Sequence, residues 1–195
     1  YGTKVTITAS TIEGKTFSKW SDGVTTASRE VTVTANATYT AEYTTNTYTV
    51  TYVKGTGIAT ISKTSETVSW GANATGCTAT VTTGYTFDGW YNGGTRVSTS
   101  LTYAPTNVKS NLTLTAKATI NKYTISYTKN ANIASISKTS ETVNYGGTAT
   151  CTATLPANTA QYTYSFGGWY EGSTRVGTAL ALSVANITAA RTFEA

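Results

Sequence analysis

No histidine occurs anywhere in the sequence. That removes the Ser-His-Asp and Cys-His arrangements of nucleophilic catalysis and the commonest nitrogen ligand of zinc. Methionine is also absent, and Pro105 and Pro156 are the only prolines. Charged residues make up 12% of the chain, and its nine carboxylates are dispersed. Neither a carboxylate pair for acid–base work nor an Asp-rich calcium loop can be assembled from neighbours in sequence. No metal or cofactor is therefore expected, and the residues do not describe an enzyme. There is no apolar run of about 18 residues, the length a membrane helix needs. An N-terminal leader pattern is not visible either.

The net charge is +5, with a pI of about 9.1. Nucleic-acid binding is a poor explanation for it. The fourteen basic residues are scattered singly between Lys4 and Arg191, whereas a nucleic-acid footprint clusters them.

Threonine fills the space these residues leave, at about a quarter of the chain, several times ordinary usage. It is β-branched, stiff at χ1 and at home in extended backbone. Fourteen tyrosines and four tryptophans provide the bulky apolar mass. Thr47 to Val53 alternates strictly, with Tyr48, Val50 and Tyr52 on one face and threonines on the other. That is the period-2 signature of a half-buried strand. Similar patterns run over 58–70, 74–81, 85–91, 100–104 and 112–118. At most, Thr106 to Asn111 has room for one helical turn.

The chain repeats itself. Ile61-Ser62-Lys63-Thr64-Ser65-Glu66-Thr67-Val68 recurs as Ile136 to Val143, and Tyr85-Thr86-Phe87-Asp88-Gly89-Trp90-Tyr91 recurs as Tyr164 to Tyr170. Lys15 to Trp20 is a weaker echo of the second motif. Tyr1-Gly2 matches Trp70-Gly71 and Tyr145-Gly146. Val31 and Val33 align with Leu101 and Tyr103, then with Leu180 and Leu182. The organisation is one incomplete copy at about 1–45 and full copies at about 46–120 and 121–195. The fold class is all-β, with small modules arranged as an elongated array.

Within this frame the candidate residues fall into place. Cys77 and Cys151 are equivalents, and the first copy has Ile7 there. A position that accepts isoleucine or cysteine is a core position, so two buried free thiols are expected rather than a disulfide. Trp20, Trp90 and Trp169 are equivalent core tryptophans. Gly89 and Gly168 precede two of them and suggest a β-bulge that turns the indole inward. Arg96 and Arg175 follow a turn, near Tyr91 and Tyr170. These four form the best candidate contact for a glycan or protein ligand, against the plainer reading of arginine stems covering apolar surface. The Lys63/Glu66 and Lys138/Glu141 pairs read as a solvated strand face. A Lys–Asn isopeptide cross-link is the sharper alternative. Leu155-Pro156-Ala157-Asn158-Thr159 is read as a loop.

Gly84-Tyr85-Thr86-Phe87-Asp88-Gly89-Trp90 resembles the internalin-B B-repeat superfamily, most nearly its divergent branch of Listeria–Bacteroides-type repeats. The opening strand from Tyr48, the Trp70-Gly71 segment and the closing Leu112-Thr113-Leu114-Thr115-Ala116 lie in the same order as in that branch. The resemblance implies a β-grasp-like module or small β-sandwich. Such modules occur in multiples on secreted or wall-attached bacterial proteins. It implies an extracellular, monomeric, non-catalytic stalk or spacer, or alternatively an adhesion module for a host or wall glycan or protein. It offers no catalytic residues.

Overall fold

The structure is a computed structural model that describes residues 2–195; Tyr1, and with it the Tyr1 end of the Tyr1/Trp70/Tyr145 match, lies outside the described residues. The described residues contain twenty strands and no helix. The first copy holds β1 (Thr3–Thr8), β2 (Lys15–Trp20), β3 (Ser28–Val33) and β4 (Ala41–Thr45). The second holds β5 (Thr47–Lys54), β6 (Ile58–Ile61), β7 (Ser65–Ser69), β8 (Cys77–Val81), β9 (Tyr85–Asn92), β10 (Thr95–Ser98), β11 (Thr102–Tyr103) and β12 (Leu112–Ile120). The third repeats this order as β13 (Lys122–Thr128), β14 (Ser135–Ile136), β15 (Ser140–Asn144), β16 (Ala149–Thr154), β17 (Trp169–Glu171), β18 (Thr174–Gly177), β19 (Ala181–Val184) and β20 (Arg191–Glu194).

Each full copy is built from two small sheets. In the second copy a five-stranded sheet runs β10-β9-β12-β5-β7 and a three-stranded sheet runs β11-β8-β6. The third copy repeats both orders with its own strands. The opening and closing strands pair in parallel, with Tyr52 opposite Leu114 and Tyr127 opposite Phe193. A parallel pair requires a long crossover, and the other strands of the module occupy that crossover. The segment read as one strand over 58–70 is two. At Ser62–Thr64 the chain leaves one sheet for the other, with the Ser62 N–H on Thr78 O and the Tyr52 N–H on Thr64 O.

In the third copy the two sheets share one core. Ile125, Tyr127 and Phe193 come from the larger sheet, and Ala149, Cys151 and Leu182 from the smaller. This is the small-sandwich form of the expected module. Trp169 is at its centre, fully buried, as is Trp90 in the second copy. Each indole N–H donates to a carbonyl eleven residues on, Trp90 to Leu101 O at 3.1 Å and Trp169 to Leu180 O at 3.0 Å. Burying the ring is therefore not penalised by a stranded donor.

Thr106 to Asn111 does not form a helical turn. Asn107 adopts φ +51°, and Val108 next to it is a buried plug, held by Gly71 N–H on its carbonyl and by its own N–H on Ala72 O. Asn186 and Ile187 do the same against Gly146 and Gly147. In the first copy the Gly2 N–H donates to Val33 O. Val33 is thus the structural counterpart of Val108 and Ile187. Ala27, whose carbonyl accepts the Ala9 N–H, is the counterpart of Leu101 and Leu180. The alignment of Val31 with Leu101 is therefore off by four residues and that of Val33 with Tyr103 by five, because the connection from the core tryptophan to this strand is shorter in the first copy.

The chain forms two compact units. One comprises residues 1–80 and 89–117, and the other comprises 81–88 and 118–195. The folding units thus do not coincide with the repeat copies: the Val81–Asp88 segment of the second copy belongs with the third.

Candidate functional site

The expected core residues are Trp20, Trp90, Trp169, Cys77, Cys151 and Ile7. The three tryptophans and both cysteines are at most 5% exposed, and the two cysteines are free. Ile7 is half-buried. Each thiol lies against the same two groups, Lys63 O and Ser62 Oγ for Cys77, and Lys138 O and Ser137 Oγ for Cys151. The cysteines are thus fixtures of the sheet switch at 62–64 and 137–139.

Arg96 and Arg175 lie on glycine. A Cβ at Gly89 would come within 2.8 Å of the Arg96 stem, and one at Gly168 within 2.7 Å of the Arg175 stem. Both glycines have φ well above zero, +149° and +133°. Bare backbone here is what lets the aliphatic stem lie flat. The register slips beside these glycines by one residue, and the extra residue lies on the arginine-bearing strand. Tyr91 carries the Lys117 ammonium 4.3 Å from its ring centre. Tyr170 stands opposite Arg175 in the ladder and lines a cleft of about 370 Å³ with Asn130, Asn132, Tyr164, Phe166 and Glu194.

The Lys–Glu motif is more than a solvated face. Glu66 accepts the Thr75 N–H at 2.9 Å, the Gly76 N–H at 3.1 Å, the Thr75 hydroxyl at 2.8 Å and the Tyr52 hydroxyl at 2.7 Å. Glu141 accepts the Thr150 N–H at 2.8 Å and the Tyr127 hydroxyl at 2.5 Å. Burial opposes ionisation of both carboxylates, but these donors outweigh it. The Glu66 carboxyl is held down to about 2, and Glu141 also below its ordinary value. Burial pushes the Tyr52 and Tyr127 hydroxyls well up, with their glutamate partners adding to it. The Lys63 ammonium meets Glu66 and the Thr75 hydroxyl, and Lys138 meets Glu141 and Thr150. Among the described residues neither lysine is set against the asparagine amide that an isopeptide cross-link consumes.

A second recurrent device was not apparent in the sequence. Trp70 stacks on Gly14, where a Cβ would lie 2.1 Å from its Cδ2. Asn46 links the two, its N–H on Gly14 O and its carbonyl accepting the Trp70 N–H, while the Thr16 hydroxyl caps its side chain at 2.6 Å. In the other compact unit Tyr145 stacks on Gly84, through Asn121 and Thr86, with the same bonds. Both glycines have positive φ, +72° and +84°. The sequence signal was a glycine two residues before each Thr-Phe, paired with a lone Asn between closing and opening strands.

Among the described residues no group of three His, Cys, Asp or Glu side chains is placed to hold a metal, and no helix is long and apolar enough to cross a membrane. Fold and recurrent devices together define a tandem all-β repeat protein. The Listeria-Bacteroides repeat domain matches residues 48–117 and 123–195, and the divergent InlB B-repeat domain matches residues 1–47. The chain belongs to the Listeria-Bacteroides repeat family, whose domains are typical of bacterial surface proteins. No curated protein and no solved structure gives a match.

Proposed function

We propose that the chain is a non-catalytic spacer on the outside of a bacterial cell, with modules at about 1–45, 46–120 and 121–195 as its links. The observation that carries this reading is the glycine–asparagine–aromatic joint. It occurs twice with the same hydrogen bonds and each time ties one copy to the next. The asparagine stands 24 residues before its aromatic both times and the backbone bonds are the same, as suits an array in which each repeat touches only its neighbours. Small-angle scattering tests it: a monomer with an extended profile is expected, and a compact profile overturns the reading.

One observation favours a second reading, an adhesion module for glycan or protein. The cleft at Tyr170 combines aromatic rings with amide and carboxylate groups, the chemistry that holds a sugar ring. Retention on mucin or polysaccharide that is lost in Tyr170→Ala and Arg175→Ala decides for it.

A further inference from the structure

We propose that the third copy carries a subsite for the acetamido group of an N-acetylated amino sugar, in an open notch of about 450 Å³ at the start of its closing strand. The inference rests on the adhesion reading and names a ligand class for it. Of the residues that line the notch, only Gly172 also lines the cleft at Tyr170.

The second copy shows what such a notch accepts. Where a parallel pair begins, the N–H just ahead of the ladder needs an acceptor from outside it. In the second copy that donor is Thr49, and the Asn111 side-chain carbonyl accepts it at 2.9 Å. Asn111 directly precedes β12, so the closing strand brings its own carboxamide cap. The register makes Thr124 the counterpart of Thr49, and Ala190 that of Asn111. Alanine has no amide to offer. Among the described residues the Thr124 N–H therefore receives no side-chain acceptor. The notch lies at that place, with Thr124 and Ala190 in its lining.

Two more residues differ between the copies, and both make the walls more polar. Glu171 stands where the second copy has Asn92, and Arg191 where it has Leu112. Arg191 donates to Glu171 through Nε at 2.8 Å and through Nη2 at 2.5 Å, and its guanidinium lies 4.8 Å from the Phe193 ring. The pair is held at both ends and still reachable, at 26% and 38% side-chain exposure. It sets guanidinium donors beside carboxylate acceptors, which vicinal sugar hydroxyls can meet together. Thr124, Ser126 and Thr192 add hydroxyls to the lining. An amide carbonyl for the Thr124 N–H and a polyol for the charged pair come joined in one N-acetylated ring. An asparagine from a protein partner meets the first and leaves the second to water.

The test is proton–nitrogen NMR of the nitrogen-labelled full chain, titrated with chitotriose and, in parallel, with cellotriose, which has hydroxyls in place of the acetamido groups. Chitotriose is expected to bind saturably and to move the Thr124 amide, while the capped Thr49 amide stays in place. Cellotriose is expected to bind about fivefold to tenfold more weakly, from the loss of one hydrogen bond. Ala190→Asn gives the third copy the cap of the second and is expected to abolish the Thr124 response. Should that variant fail to fold, the two sugars against the unchanged chain decide alone. A Thr124 amide that does not move, equal binding of cellotriose, or a response retained in Ala190→Asn overturns the proposal. So does an asparagine-bearing tripeptide that moves Thr124 where chitotriose does not. Shifts confined to Tyr164, Phe166 and Tyr170 overturn it while leaving the adhesion reading standing, and no shift with either sugar at either place counts against both.

Discussion

A methyl group on Gly84 would lie 2.1 Å from Cδ1 of Tyr145. Glycine is required at that position twice over, by the seated ring and by a φ of +84°. Gly84→Ala is expected to cost about 1–3 kcal/mol or more, read from urea denaturation. In a Tyr145→Ala background the ring is gone and only the backbone term remains, about 1 kcal/mol. An equal cost in both backgrounds would show that the ring is not seated on Gly84.

Acid stability follows from the carboxylate clamps. A depressed folded value means that the stabilisation is present above the ordinary carboxyl value of 4.5 and is lost as pH falls through the folded value, about 2 for Glu66. The unfolding midpoint is expected to fall steeply between pH 4.5 and 2. Glu66→Gln with Glu141→Gln should lower it at pH 7 and flatten that fall. The tyrosines act in the opposite sense. Their raised folded values keep the stabilisation intact below the ordinary value of 10.0, and it is lost as pH rises beyond it.

Intact mass under non-reducing conditions is expected to equal the sequence mass, with neither the two hydrogens of a disulfide nor the ammonia of an isopeptide lost. A thiol reagent should leave Cys77 and Cys151 unmodified in the native protein and label both in denaturant, since each is at most 2% exposed. Rapid labelling of the native chain would contradict the burial.

Ile187 and Val33 are counterparts with opposite surroundings. Ile187→Ala opens a cavity in a closed core and is expected to cost about 2–5 kcal/mol. Val33→Ala removes an exposed side chain and is expected to stay within about 0.5 kcal/mol. Chemical denaturation of the two variants provides the comparison.

What was legible in the sequence was whatever period 2 or self-similarity could carry. Alternation placed Tyr52, and recurrence placed Trp90, Trp169, Cys77 and Cys151. Recurrence failed where the spacing changes. The first copy's connection is shorter, so Val33 slid onto the wrong partner, and only the Gly2 hydrogen bond restores the match. The Asn107-Val108 plug was missed because one buried residue on a left-handed turn has no periodicity to display. The Gly–Asn–aromatic joint was invisible for another reason. Its parts lie 24 to 61 residues apart, and nothing local in Asn46 says that it lies between Gly14 and Trp70. The Lys63/Glu66 pair was read too plainly: spacing showed two charges on a strand but not the backbone N–H groups aimed at one of them.

The misalignment between repeat copies and compact units bears on where the chain can be cut. Residues 81–88 lie with 118–195, and Gly84 and Thr86 hold Asn121 and seat Tyr145. A fragment begun at the copy boundary would keep the tyrosine and lose the glycine beneath it, whereas one begun at residue 81 keeps that joint whole.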